Sequence, residues 1–261
     1  GTTPASLPVA LAELQAASDP ACVHRRQLRR SAPGLFDERD LPIPGAYLDA
    51  IRDTGATVRQ QSRWLAAVSV RADRAAAERL ARLDFVDRLE LVRGGRGVRP
   101  VELAPAGVPG PYTPRDFYGA SSEQLNQINL PALHQQGYTG QGVIIGILDT
   151  GFQRGHDVFN QPGHVVNVIA EHDFINNDDV TSAQPGDPDG QYVHGTLILG
   201  CIGAYQPNTL VGGAYNASFV LCKTENVASE TPIEEDNYVA GLEFIEMHGG
   251  DVATSSLGYI D

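Results

Sequence analysis

Residues 140–151 read GQGVIIGILDTG, and this stretch decides the fold of the larger part of the chain. The apolar run at 143–148 is rich in β-branched side chains, which is typical of a strand buried on both faces of a parallel sheet. Asp149 follows this run directly. Because functional groups in open α/β sheets gather at the carboxyl ends of the strands, Asp149 is a candidate functional residue.

A second motif, YVHGT at residues 192–196, places His194 at the start of an apolar segment that predicts a helix over 194–204. A carboxylate bonded to Nδ1 of a histidine fixes the tautomer whose Nε2 can accept a proton from a nucleophile. Asp149 and His194 together therefore have the chemistry of a general base and its orienting group.

The rest of the larger region alternates helices and strands. We predict helices at 125–135 and 238–248, and strands at 217–222 and 251–256. This alternation predicts a doubly wound parallel α/β sheet over residues 120–261. Few strands are present and the last edge looks unfinished, so the sheet is expected to be incomplete.

The N-terminal region has a different pattern. Residues 1–36 predict a leader with a short helix at 9–17 followed by an extended or mobile segment. Residues 37–105 predict an α+β, ferredoxin-like domain, and the Gly- and Pro-rich residues 106–119 predict a linker. The predicted elements of the domain are a helix that ends at Gly55, a strand at 64–70, a helix at 74–83 capped by Asp73, and a strand at 85–91.

Charge and composition exclude several functions. Residues 1–105 carry a net charge of +3 and residues 106–261 one of −16, which sum to the −13 of the whole chain. The acidic region lacks the clustered Lys and Arg that nucleic acid requires, and no apolar run is long enough for a membrane span. The three cysteines have neither a disulfide framework nor a metal-ligand spacing, although a bridge between Cys201 and Cys222 stays open.

These motifs resemble the subtilase family of serine peptidases, in which the catalytic residues follow one another as Asp, His and Ser. Gly155-His156-Asp157 stands where the family carries a structural histidine, and residues 218–223 resemble the strand that leads into the substrate cleft. Residues 252–258 resemble the family's strand that ends in Ser-Leu-Gly. The resemblance therefore implies that Asp149 and His194 are catalytic and that Ser256, Leu257 and Gly258 bind substrate.

The resemblance also implies partners and a location. The substrate would be a peptide or protein, and the ferredoxin-like domain would be a propeptide that inhibits the enzyme intramolecularly, with the junction at 104–114. An extracytoplasmic, secreted protein is expected. No cofactor is expected. Subtilases often bind calcium on loops, and the acidic stretch 176–189 has oxygen ligands of the right kind. It fits no defined calcium motif, however, which favours an ordinary solvated loop.

The family's nucleophile, in a Gly-Thr-Ser-x-Ala motif, is missing from this sequence. We therefore expect a subtilisin-type endopeptidase of which this chain is the propeptide and N-terminal catalytic part, inactive alone. The alternative is a non-catalytic, truncated pseudoprotease that binds peptide. Asp149-Thr150-Gly151 also resembles the aspartic-protease signature, but that mechanism needs two such carboxylates and the chain has one copy.

Overall fold

The computed structural model describes residues 6–29, 34–92, 117–228 and 233–256. Its α-helices are α1 (Leu7–Ala17), α2 (Pro20–Arg29), α3 (Gly45–Asp53), α4 (Arg74–Leu80), α5 (Ser122–Gln127), α6 (Leu130–Gln135), α7 (Val193–Gly203) and α8 (Ile233–Met247). Its strands are β1 (Thr57–Ser62), β2 (Ala67–Arg71), β3 (Ile144–Asp149), β4 (Asn160–Gln161), β5 (His164–Val165), β6 (Asn167–Asp173), β7 (Tyr205–Gln206), β8 (Leu210–Val211), β9 (Ser218–Lys223) and β10 (Val252–Ser255).

The chain divides into two compact units. The first unit comprises residues 1–94 and 232–249, and the second comprises residues 95–231 and 250–261. Within the described residues, none of the helices combines the length and the apolar character that crossing a bilayer requires.

A parallel sheet forms the centre of the second unit, with strand order β10-β3-β9-β6. In this sheet Asp149 lies opposite Lys223, and Lys223 lies opposite Asp173. All the strands are parallel, so their carboxyl ends meet at one edge, and that edge carries Asp149. The predicted parallel α/β sheet is therefore confirmed.

The apolar sequence of the central strands is explained by their burial. Ile147, Phe219 and Leu221 are fully buried and pack with Leu199 of α7. Full burial of each such side chain contributes roughly 1.5–3 kcal/mol to folding. The strands β3 and β9 are thus fixed in the core, and the residues that follow them have a rigid base.

One helix of the second unit differs from its prediction. The single helix expected at 125–135 is two helices, α5 and α6, separated at Asn129, whose φ is 56°. Pro131 lies in the first turn of α6. Proline lacks the N–H that a continuous helix would use, but it is well tolerated in the first turn, so a new helix begins here.

The first unit contains an antiparallel hairpin, β1–β2, and the helices α3 and α4 on either side of it in the chain. Its core consists of Ile51, Ala56 and Leu80, with Val58, Val68, Val70, Leu83 and Phe85 packed against them. Asp73 caps α4 as predicted, since its side chain accepts the N–H of Ala76 at 2.7 Å. The α+β class of this region is confirmed.

Three predictions for the first unit were wrong in detail. Residues 64–66 form the turn of the hairpin, and only 67–71 form a strand. The strand expected at 85–91 is absent from the described residues, and the ring of Phe85 stacks on Tyr47 of α3 with centroids 4.1 Å apart. The predicted extended leader contains α2, whose Arg26 bonds to Asp40 and Glu246 at 2.7 Å each.

Helix α8 lies in the first unit, although the chain forms it between β9 and β10. Its Glu243 accepts the hydroxyl of Ser62 at 2.6 Å, and its Glu246 pairs with Arg63 at 2.9 Å. The side chains of Gln60 and Asn237 are joined at 3.0 Å. Polar groups of α8 thus hold the hairpin, and sequence reasoning did not foresee this.

All three cysteines are free, so no bridge joins Cys201 to Cys222. Cys222 is fully buried in β9, and burial raises the pKa of its thiol far above the ordinary value. Cys201 is exposed. The two residues lie on different elements, α7 and β9.

Candidate active site

Asp149 is the last residue of β3, and its side chain is fully buried. Its Oδ1 accepts the backbone N–H of Thr150 at 2.7 Å and lies 2.8 Å from Nδ1 of His194. A buried carboxylate needs such donors, because an unpaired buried charge is strongly destabilising. The candidate site therefore begins with a carboxylate that the sheet holds in place.

His194 is the second residue of α7, and its side chain remains 38% exposed while Nδ1 contacts the buried carboxylate. An ionised carboxylate can only accept a hydrogen bond, so the proton of the neutral imidazole resides on Nδ1. Nε2 is then the basic nitrogen of a partly solvent-accessible ring. This is the tautomer that a general base of acyl transfer requires.

Gly195 allows the helix to approach the end of β3. A Cβ added at this position would lie 2.3 Å from the carbonyl oxygen of Gly151 and 3.1 Å from Oδ1 of Asp149. Gly151 itself has a φ of 133°, a value that L side chains rarely adopt. The two glycines therefore permit the contact between His194 and Asp149.

Two threonines of the quoted motifs join α7 to the segment after β3. Thr150 accepts the N–H of Gly195 with its hydroxyl oxygen at 3.2 Å, and Thr196 accepts the N–H of Gln153 at 2.8 Å. These hydrogen bonds explain why both motifs contain threonine. Both threonines belong to the motifs at 140–151 and 192–196, but the motifs alone did not indicate that they connect the two segments.

Gln191 makes a further connection that no sequence signal revealed. Its side chain is 1% exposed and donates to the carbonyl oxygens of Thr150 at 2.6 Å and Glu225 at 2.5 Å. The side-chain oxygen Oε1 of Gln191 accepts the backbone N–H of Val227 at 3.0 Å. The segment before His194 is thereby fixed to the segments that follow β3 and β9.

The remaining predicted site residues are only partly described. Ser256 is exposed and follows β10, whose Ser255 lies opposite Leu148 of β3, so Ser256 lies near the same edge of the sheet as Asp149. Leu257 and Gly258 lie outside the described residues. The substrate-binding role of all three stays a prediction. His156 has a structural contact, since its Nδ1 accepts the N–H of Val158 at 3.3 Å.

The acidic loop between β6 and α7 was the candidate for calcium. Across the described ranges, no group of three or more His, Cys, Asp or Glu side chains is arranged to hold a metal ion. The expectations of no cofactor and of an ordinary loop stay predictions.

Two family models match this chain. Residues 140–260 match the subtilase family, and residues 5–100 match the peptidase S8 propeptide domain of Bacteroidota. The subtilase match contains Asp149, His194 and the whole parallel sheet. The propeptide match contains α3, the hairpin β1–β2 and α4.

Individual proteases are similar over the same region. Minor extracellular protease Vpr of Bacillus subtilis (strain 168) is 33% identical over 125 residues, which are 47% of this chain and 14% of that protease. Furin-like protease 2 of Drosophila melanogaster is 35% identical over 114 residues, 42% of this chain and 6% of that protein. Subtilisin E of Bacillus subtilis (strain 168) is 30% identical over 136 residues, 51% of this chain and 32% of that protein. The matched residues thus span less than a third of the length of these relatives.

Proposed function

Residues 140–260 of this chain belong to the subtilase family and residues 5–100 to the peptidase S8 propeptides, and from this premise we propose that Asp149 and His194 serve a subtilisin-type serine endopeptidase. The observation that carries the proposal is the 2.8 Å contact between Nδ1 of His194 and Oδ1 of Asp149. This contact leaves Nε2 of His194 as the base.

In the proposed reaction, Nε2 of His194 accepts the proton of a serine hydroxyl as its oxygen attacks the peptide carbonyl carbon. Asp149 keeps the imidazole oriented and stabilises the imidazolium that forms. His194 then gives the proton to the leaving amine, and water hydrolyses the acyl-enzyme. The Gly-Thr-Ser-x-Ala motif is not in this sequence, so we propose that the isolated chain does not form an acyl-enzyme.

A fluorophosphonate probe tests this proposal, because it labels only a serine that a general base activates. We expect no labelling of the isolated 261-residue chain. A protein extended through the codons that follow residue 261 is expected to be labelled and to hydrolyse peptides. His194→Ala in that protein should abolish labelling, and Asp149→Asn should lower kcat by about 10⁴-fold because the imidazole loses the required tautomer.

Asp157→Asn is the matched control, since Asp157 is an exposed carboxylate in the segment that follows β3. It should leave kcat unchanged. Labelling of the isolated chain at a serine would contradict the proposed inactivity. A stop codon directly after residue 261, together with peptide binding by the chain, would favour the non-catalytic peptide-binding alternative instead.

We further propose that the propeptide-matching region inhibits the enzyme as an intramolecular partner. Support comes from α8, which lies in the subtilase-matching segment but contacts the hairpin of the propeptide-matching segment. Glu243 accepts the backbone N–H groups of Arg63 and Trp64 at 3.3 and 3.2 Å. Glu246 pairs with Arg25, Arg26 and Arg63.

This arrangement would bind the propeptide until it is cleaved and released. The expected location of the enzyme is extracytoplasmic, which agrees with the name of one similar protein, a minor extracellular protease. Fractionation of cells that express the full-length protein, with immunodetection of residues 1–94, would show both the location and the release of the propeptide.

A further inference from the structure

Lys223 is the single lysine of the chain, and it stands at the end of the apolar strand β9. Its side chain is 1% exposed. The ammonium Nζ lies 2.8 Å from Oδ2 of Asp173, and 3.0 and 2.9 Å from Oδ1 and Oδ2 of Asp187. A lysine at so buried a position is stabilised only by charged partners of this kind.

The position of Lys223 in the sheet places it beside the candidate catalytic carboxylate. Lys223 lies opposite Asp149 in one neighbouring strand and opposite Asp173 in the other. The backbone N–H of Thr224, the next residue, donates to the carbonyl oxygen of Asp149 at 2.9 Å. A Cβ added at Gly151 would lie 3.5 Å from Cδ of Lys223, so the aliphatic part of the lysine side chain packs close to the backbone that follows Asp149.

The loop between β6 and α7 is folded around the ammonium group. Asp173 accepts the backbone N–H groups of Ile175 and Asn176, at 2.8 and 3.0 Å. Asp187 accepts the backbone N–H of Gln184 at 2.9 Å. The end of β6 at Asp173 and the later part of the loop at Asp187 are thereby joined through Lys223.

The same loop leads directly to His194. Gln191, four residues after Asp187, is bonded to Thr150 as described above, and His194 follows three residues later. The carbonyl oxygen of Thr181, also in the loop, accepts the N–H of Phe152 at 2.8 Å. Hydrogen bonds thus connect the loop that contains Asp187 to both segments that carry the Asp149–His194 pair.

These two carboxylates do not fit a calcium site. Carboxylate oxygens are the ligands that calcium prefers, but here the oxygens of Asp173 and Asp187 converge on an ammonium group that occupies the position a cation would need. Desolvation raises the pKa of Asp187, but the hydrogen bonds from Lys223 and Gln184 outweigh it and lower that pKa below its ordinary value. The carboxylate is thus held ionised toward Lys223.

We infer that Lys223 is a positioning residue, whose ammonium group takes the place of a metal ion and holds the β6–α7 loop so that His194 meets Asp149. The inference rests on the proposed function only in treating that pair as catalytic. Its test measures the geometry of the pair and not peptide hydrolysis, so the two can fail separately.

The test uses the 261-residue chain and proton NMR. The Nδ1 proton of His194, bonded to Asp149, is expected to give a resolved low-field resonance in the wild type. Lys223→Met keeps most of the stem but removes the charge, and Asp187→Asn removes one partner. Both variants should lose this resonance, and the amide of Phe152 should exchange roughly tenfold faster or more, because the loop is freed.

The two variants change the net charge in opposite directions. A purely electrostatic effect of Lys223 and Asp187 on His194 would therefore shift the resonance in opposite directions, whereas loss of positioning would remove it in both. Loss of the resonance in both supports positioning, whereas shifts of opposite sign with the resonance retained would overturn it. Asp179→Asn is the matched control, because Asp179 is an 81% exposed carboxylate of the same loop. It should retain the resonance.

Two further measurements complete the test. If Lys223→Met does not fold, Asp187→Asn decides alone, since that variant keeps the pair of Lys223 with Asp173. The wild-type resonance should persist in EDTA. Its loss on chelation and return with calcium chloride would show that a metal holds the loop, and would overturn the inference.

Discussion

Gly195 is a position where one methyl group would separate the two segments that form the candidate site. The helix that carries His194 packs so closely on the turn after Asp149 that a Cβ at Gly195 would lie 2.3 Å from the carbonyl oxygen of Gly151. At Gly200, in the same helix, the atom nearest to an added Cβ is Cδ2 of Leu210, at 3.9 Å. A side chain is therefore sterically excluded at Gly195 but not at Gly200.

We expect Gly195→Ala to lower the free energy of unfolding by about 1–3 kcal/mol, because the clash with backbone atoms forces the helix away from the turn. Gly200→Ala is the control in the same helix. It should be neutral or stabilise by roughly 0.5–1 kcal/mol, since alanine favours helix and meets no close atom. Urea unfolding followed by far-UV circular dichroism measures both, and equal stability of the two variants would contradict the steric argument.

At the scale of elements, each helix or strand depends on a few local signals that the sequence displays. Asp73 precedes a helical pattern and caps α4 as the pattern predicted. The apolar runs also placed β3, β9 and α7 within one or two residues of their observed bounds. The alternating apolar residues at 85–91 predicted a strand that did not form, which shows that a short period of this kind is not sufficient without a partner strand.

The cap of α4 gives a prediction at this scale. Asp73→Ala should lower the free energy of unfolding of the first unit by ~1 kcal/mol, because the N–H of Ala76 loses its acceptor. Asp73→Ser retains an acceptor and should cost less than half of that. Urea unfolding followed by the fluorescence of Trp64, the only tryptophan, reports on this unit. Equal losses in the two variants would show that the cap is not the cause.

At the scale of the whole molecule, charged groups that are far apart in the chain meet in the first unit. Glu246 forms ion pairs with Arg25, Arg26 and Arg63. Arg25 and Arg26 precede it in the chain by 221 and 220 residues. Desolvation raises the pKa of Glu246, but the hydrogen bond and charge of Arg26, with smaller contributions from Cys22 and Arg25, outweigh it and hold that pKa below 4.5.

This shift predicts how stability depends on pH. The unfolded chain protonates Glu246 near its ordinary pKa of 4.5, before the folded chain does. The contribution of Glu246 is therefore complete above pH 4.5 and is lost as pH falls from there toward the lower folded pKa. Urea midpoints from Trp64 fluorescence should decrease below pH 4.5.

Glu246→Gln should lower the midpoint at neutral pH and flatten its decrease in acid, because the titrating group is gone. Glu78→Gln is the control, since Glu78 pairs with the almost fully exposed Arg74 and contributes little. A midpoint that falls in acid as steeply in Glu246→Gln as in the wild type would show that Asp40, whose pKa is also lowered, carries the effect instead.

The sequence by itself determined the buried strand that ends in Asp149, the helix that begins near His194, and the cap at Asp73, because each depends on residues that are neighbours in the chain. It also indicated that Asp149 and His194 would act together, since the two motifs resemble, in order, the Asp and His motifs of the subtilase family. The tertiary structure alone decided that Lys223 is buried between two aspartates, that α2 replaces an extended leader, and that α8 packs on the hairpin. Those features consist of contacts between residues separated by tens to hundreds of positions, and the free energy of such contacts depends on burial and charge that no local pattern contains.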